Sequence, residues 1–203
     1  MKKKLTAIFL CVALVAIAIV GASLAYFTDT KTATNTFTMG DVKIKLDETN
    51  VNNPTGDRTI VGNDYNVYPG AVVTKDPTIH NTGKNAAWIR AKVEVKGWVA
   101  NLEKYPTYEA GELKDSLTYL IDGLGEGWSV VDATAANGDV TFTLKYNTKL
   151  AAGADTTAMF QQVKVPAGLQ NGQEFGTIKV TAEAIQTDSF DTWTAAFDAF
   201  DGK

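Results

Sequence analysis

The sequence predicts an all-β protein: an antiparallel β-sandwich with a helical insertion and a short C-terminal helix. Three observations carry this. Ala87, Ile89, Ala91, Val93 and Val95 alternate strictly with Trp88, Arg90, Lys92, Glu94 and Lys96, the period of a half-buried strand. Threonine fills every second position from Thr28 to Thr38, and its stiff β-branched side chain suits a pleated strand and resists a helix. The remaining strand-like runs are separated by turn residues, without the strand–helix rhythm of a parallel sheet.

Taken in order, the chain opens on an export signal. Lys2, Lys3 and Lys4 precede the 16-residue apolar run Leu5–Val20, and Ser23-Leu24-Ala25 supplies small residues at the −3 and −1 positions of a cleavage site. Cleavage between Ala25 and Tyr26 is expected, leaving residues 26–203 as a single domain. The alternative is an uncleaved anchor, since with Ala22–Phe27 the apolar stretch approaches the ~20 residues that span a bilayer. Beyond the cut, the even face of the first strand is Thr28, Thr30, Thr32, Thr34, Thr36 and Thr38. The odd face is Phe27, Asp29, Lys31, Ala33, Asn35, Phe37 and Met39. Between its two phenylalanines this strand is polar on both faces, so its register is loosely specified and its own core holds it weakly. Gly40-Asp41 then turns the chain into Val42, Ile44 and Leu46, which alternate with polar residues as a second strand.

These residues carry a family resemblance. A lysine-led apolar signal, small-x-Ala, Tyr26-Phe27-Thr28-Asp29, and Phe37-x-x-Gly40-x-Val42-x-Ile44-x-Leu46 together resemble the N-terminus of the TasA/camelysin family, whose signals are processed by a SipW-type signal peptidase. The correspondence runs over about residues 1–47 and, more loosely, from Tyr68-Pro69-Gly70 to Val95. The resemblance implies export from a Gram-positive cell, a jelly-roll fold and, as in several relatives, assembly into extracellular matrix fibres. It favours a jelly roll over an immunoglobulin-like sandwich, which periodicity alone does not separate.

Further along, Asp47–Asp64 is dense in Asn, Asp, Gly and Pro and reads as a long loop or loose hairpin. Pro69-Gly70 suits the centre of a type II turn. Val72–Asn81 is expected as strand, with Pro77 marking an edge or bulge, and 81–85 as a tight connection into the strand Ala87–Lys96. Leu113, Leu117, Leu120, Ile121 and Leu124 recur at helical spacing and predict an amphipathic helix over Gly111–Leu124, with an irregular excursion between sheets as the alternative. Trp128–Val131 and Asp139–Asn147 read as a strand pair turning at Ala136-Asn137-Gly138. Leu150–Asp155 reads as loop, and Thr156–Val165 and Gly172–Gln186 as strands. Trp193, Ala196, Phe197 and Phe200 give a C-terminal helix one apolar stripe, which is expected to dock on the sandwich, or alternatively to face a partner.

Removal of residues 1–25 takes away three lysines and no acids, so the formal charge of −4 becomes −7 over 178 residues. An acidic surface argues against nucleic acid and against a polybasic membrane patch. The sole cysteine, Cys11, lies inside the apolar run and lacks the small residues that lipidation needs before it. The mature chain is therefore expected to fold without a disulfide.

Catalytic chemistry finds few residues. A zinc protease needs clustered histidines or equivalent ligands, and the only histidine is His80. A serine triad would have to pair His80 with Ser116, Ser129 or Ser189, none in a nucleophile elbow. Asp188/Asp191 and Glu103/Glu109 are carboxylate pairs of the kind chance supplies among 23 acidic residues. Asp47, Glu48, Asp57 and Asp64 lack the spacing of a defined calcium loop. Trp88, Trp98 and Trp128 are expected in packing, with a carbohydrate-stacking platform as the alternative. No catalytic residue, metal or cofactor is assigned.

The expectation is an exported fibre subunit whose main partner is itself. Signal peptidase acts during export, and an accessory fibre-anchoring protein is a further expected partner. High β-propensity, absence of proline and near-zero charge point to Tyr26–Phe37 as a strand donated to the next subunit, with Phe27 and Phe37 as anchors. An ordinary first strand is the alternative for that segment. Alternatives for the whole protein are a camelysin-like metalloprotease, the activity described for family members of that name, and a monomeric glycan-binding domain.

Overall fold

The computed structural model describes residues 41–102, 113–168 and 176–203. All of them fall in one contact unit, Gly40–Lys203. The described residues are mostly β, in antiparallel sheets with a few short helices. Nine strands occur among the described residues: β1 Ile44–Thr49, β2 Arg58–Thr59, β3 Val72–Thr74, β4 Thr78–Asn81, β5 Ala87–Val95, β6 Trp128–Ala136, β7 Asp139–Tyr146, β8 Gln162–Lys164 and β9 Ile178–Gln186. The helices are α1 Trp98–Leu102, α2 Leu117–Leu120, entered through a 3-10 turn at Leu113–Ser116, and α3 Trp193–Asp201. The strands form a four-stranded sheet β6-β7-β5-β9, a three-stranded sheet β2-β1-β4 and a pair β3-β8.

The core is built on β5. Ile89, Ala91 and Val93, with Phe142 and Leu144 from β7, are wholly buried, and the same cluster takes in Ile79, Met159, Phe160 and Val163 from the other strands and loops. Burying each large apolar side chain contributes roughly 1.5–3 kcal/mol. The β6–β7 hairpin closes at Asn137-Gly138, both at positive φ (54° and 85°), as a two-residue type I′ turn requires. Register slips between Val130 and Asp132, leaving Val131 as a bulge that faces solvent.

Several expected elements are corrected. Val72–Asn81 is two strands, because Lys75-Asp76-Pro77 breaks the ladder and sends the halves to different sheets, β3 to β8 and β4 to β1. The helix expected over Gly111–Leu124 is, among its described residues, only Leu113–Leu120. Ile121 leaves in extended conformation and bridges Val163 of β8, so sheet pairing overrides helical spacing. The first helix of this insertion, α1, carries no strong pattern; Trp98 drives it, wholly buried with its Nε1 donating to Ser116 Oγ at 3.2 Å. Thr156–Val165 is strand only at β8. Its first half instead bonds irregularly, Thr156 N to Ile79 O at 2.9 Å and Met159 N to Pro77 O at 2.9 Å. β6 is longer than expected, reaching Ala136.

β5 is buried on both faces at its start. Trp88 and Arg90 belong to the face that alternation assigns to solvent, and α3 covers them. The helix begins at Thr192, whose hydroxyl accepts from Ala195 N at 3.1 Å, and ends at Gly202 in left-handed conformation. Of its expected stripe, Trp193, Ala196 and Phe197 dock on the sheet, whereas Phe200 stays exposed, and Trp193 Nε1 donates to the Ile89 carbonyl at 2.7 Å.

Candidate functional site

The core is closed in the middle of the four-stranded sheet and half-open along one flank. The inward residues of β9 (Ile178, Val180, Ala182, Ala184) are only partly buried, as are Val42, Ile44, Leu46 and Val73. Their counterparts on β5 and β7 are wholly buried. Among the described residues, β9 has no strand on the side away from β5. On the side of β1 away from β4, β2 pairs only with Glu48 and Thr49, so that among the described residues the edge from Ile44 to Asp47 has no strand beside it. Leu46–Glu48 and Thr177–Val180 border one cleft of about 460 Å³. It meets a second, of about 630 Å³, at Asn63, Asp64, Lys75, Thr177 and Ile178. Two backbone edges without a strand partner among the described residues, and a row of partly buried aliphatic side chains, thus line one groove.

A charged network stands beside it. Asp47, almost wholly buried on β1, accepts from Arg58 Nε, from Lys45 Nζ at 2.9 Å and from His80 Nε2 at 2.9 Å. Burial alone would raise its pKa, but the hydrogen bonds from Arg58, His80 and Lys45 outweigh that and hold it at about 2. Arg58 continues to Asp76, Nη1 to Oδ2 at 2.9 Å, and Asp76 also takes the Thr49 hydroxyl at 2.8 Å. These bonds overcome the burial that opposes ionisation, so the Asp76 pKa is lowered and that of Arg58 raised. His80 Nδ1 lies 2.7 Å from Asp155 Oδ1, so both ring nitrogens face carboxylates. Only the imidazolium donates to both. Burial works against its charge, yet the bonds to Asp47 and Asp155 raise its pKa.

The residues weighed for catalysis and binding are scattered. His80 is engaged as above. Ser116 is buried and donates to the Leu113 carbonyl at 2.6 Å, Ser129 donates to Asn147 Oδ1 at 2.8 Å, and Ser189 accepts from Gln186 Nε2 at 3.2 Å. None of these bonds reaches His80. Asp188 accepts from Asn85 Nδ2 at 3.0 Å. The four acids of Asp47–Asp64 do not converge: Asp47 is bound to cations, Glu48 accepts from Lys75 Nζ at 2.7 Å, Asp57 is exposed, and Asp64 lies in the groove. The tryptophan platform is overturned. Trp88, Trp98 and Trp128 are all buried, Trp88 in a different cluster from the other two. Glu103, Glu109, the cleavage pair Ala25 and Tyr26, and the assembly residues Phe27, Thr28, Thr30, Thr32, Thr34 and Phe37 lie outside the described residues. Sequence reasoning missed Arg58, Asp76 and Lys75, since partners brought together by sheet pairing leave no periodic signal.

Fold and site together define a mostly β protein of antiparallel sheets with, among the described residues, one core flank left half-open between two strand edges. Residues 1–100 match the family model described as camelysin metallo-endopeptidase, a family that includes TasA. No curated protein and no solved structure matches it. The family is named as a metallo-endopeptidase, yet TasA-like members are structural, and camelysin-family proteins are secreted or surface-located. No helix among the described residues is long and apolar enough to cross a membrane.

The family description implies a metal, and the described residues do not fit one. Among the described residues no group of three or more His, Cys, Asp or Glu side chains is arranged to hold an ion. His80 is committed through both nitrogens, and a divalent cation at Asp47 would meet the fixed charges of Arg58 and Lys45.

Proposed function

We propose that this chain is an exported structural subunit of an extracellular, biofilm-type matrix fibre, not an enzyme. The N-terminal strand 26–37 of one copy completes the groove between β1 and β9 of the next. The observation that supports this reading is the half-open core flank between the outer edge of β9 and the Ile44–Asp47 edge of β1, neither with a strand partner among the described residues. An inserted strand would bond its backbone to β1 and β9, cover Leu46, Ile178 and Val180, and place Phe27 and Phe37 as anchors. Completion of the sheets by that strand gives the jelly roll implied by the family resemblance. The partners are then other copies of the chain, signal peptidase during export and an accessory fibre-anchoring protein, in the extracellular matrix or at the cell surface.

Electron microscopy of the secreted protein over time tests the reading. Fibres are expected from the chain beginning at Tyr26. They are expected to be lost from a chain beginning at Gly40 and from Thr32→Pro, each checked for a folded far-UV signal. Fibres from both variants would exclude residues 26–37 as the donor.

The family description favours one other reading, a metalloprotease. Casein digestion with and without chelator separates the two. No chelator-sensitive cleavage is expected, and the melting temperature should be unchanged by chelator.

A further inference from the structure

Glu48 carries an unmet demand inside the groove. It is 5% exposed, sits where β1 passes from its β4 to its β2 pairing, and lines the cleft shared with β9. Its Oε2 accepts from Lys75 Nζ at 2.7 Å, and that lysine side chain is itself only 11% exposed. Its Oε1 is fully buried and has no hydrogen-bond partner among the described residues. A carboxylate oxygen taken from water without a donor is costly, and native proteins rarely leave one so.

The missing donor is neutral. Lys75 already balances the charge of Glu48, and a second ammonium would leave an uncompensated positive charge in a nearly closed site. A hydroxyl or an N–H fits. The segment assigned to the groove presents hydroxyls at Thr28, Thr30, Thr32, Thr34, Thr36 and Thr38. Six equivalent residues at period 2 cannot choose their own register, and a shift by two would preserve the pattern while misplacing both phenylalanines. One fixed acceptor breaks that degeneracy.

We propose that Glu48 Oε1 is the register pin of the groove: it accepts a hydrogen bond from one threonine hydroxyl of a strand contributed by a second copy of the chain. The inference rests on the donor-strand reading above. The loop Thr59–Asp64 borders the same cleft, and a Cβ at Gly62 would stand 3.8 Å from Oε1. Strand entry therefore lifts this loop. Its apolar residues Ile60 and Val61, exposed at 68% and 91%, then pack on the seated strand.

The test is a fluorescence-anisotropy titration of a labelled peptide of residues 26–39 into the secreted full chain, with each threonine changed in turn to valine. Loss of one hydroxyl at constant shape is expected to weaken binding about tenfold at one position and less than about threefold at the others. The titration is repeated on the double variant Glu48→Leu/Lys75→Leu, which replaces the ion pair with apolar residues and leaves no buried charge. There the sensitive position should become indifferent. Binding with a flat scan on the unmodified chain overturns the pin and leaves the donor strand standing, whether or not the double variant folds. A sensitive position that persists without Glu48 overturns the pin as well. No binding of the unmodified peptide overturns both.

Discussion

Arg90 and Asp201 lie 111 residues apart in sequence and meet fork to fork, Nη1 to Oδ2 and Nη2 to Oδ1, each at 2.8 Å. The guanidinium is nearly buried, gives its Nε to Glu183 on β9, and lies 4.3 Å over the Phe197 ring. One β5 side chain therefore holds the last turn of α3, the neighbouring strand and an aromatic of the helix stripe together.

Arg90→Ala should destabilise the protein by on the order of 2–3 kcal/mol, because it removes the buried cation from the Phe197 ring, frees the last turn of α3 and leaves Glu183 with Lys92 Nζ, at 3.1 Å, as its remaining cation. Arg90→Lys should recover only part of this, since an ammonium cannot reproduce the two-pronged contact. Urea unfolding followed by tryptophan fluorescence checks both, with Trp193 reporting on the helix directly.

The His80 network gives stability a pH dependence of known sign. The histidine's pKa is raised in the folded state, so its contribution is complete below about 6.5 and is lost as pH rises through the folded value. Asp47 runs the other way. Its contribution is complete above about 4 and fades as pH falls toward about 2. The melting-temperature advantage of the unmodified chain over His80→Gln should therefore shrink between pH 6 and pH 9. An advantage that grows over that range would contradict the paired-carboxylate geometry.

Gly176 leads into β9 beside the groove with φ +58°, and a Cβ there would stand 2.2 Å from the Lys96 carbonyl oxygen. Gly176→Ala should cost at least about 2 kcal/mol through backbone strain and collision. Gly202→Ala serves as the comparison, at φ +72° with nothing within 4 Å. It should cost about 1 kcal/mol, from conformation alone. Thermal unfolding of the two variants measures the difference.

Secreted protein should begin at Tyr26. N-terminal sequencing of material from the culture medium is the check. A chain that still begins at Met1 would instead support the retained anchor.

Where pattern and structure agree, local chemistry was enough. The alternation of Ala87–Val95 is the register of β5, Asn137-Gly138 is the hairpin turn, and Tyr68-Pro69-Gly70-Ala71 is a turn closed by Ala71 N to Tyr68 O at 3.0 Å. The C-terminal stripe was legible for the same reason: side chains at i, i+3 and i+4 share a face whatever they pack on. Helical spacing from Leu113 to Leu124 misled, because an aliphatic residue that faces a core looks the same in a helix and in the extended bridge that Ile121 makes with Val163.

By itself the sequence determined the long strands β5 and β7, their inward faces and the sharp turns. Those follow from backbone sterics and side-chain periodicity within a few residues. Only the tertiary structure decided that Pro77 divides one run between two sheets, that Arg90 on a nominally wet face is buried under α3, and that the core stays half-open between β1 and β9. It alone brought Asp47 to Arg58 and His80, and Glu48 to Lys75. Burial and pairing are set by which strand lies beside which, and partners from 11 to 111 residues apart leave no mark on local spacing.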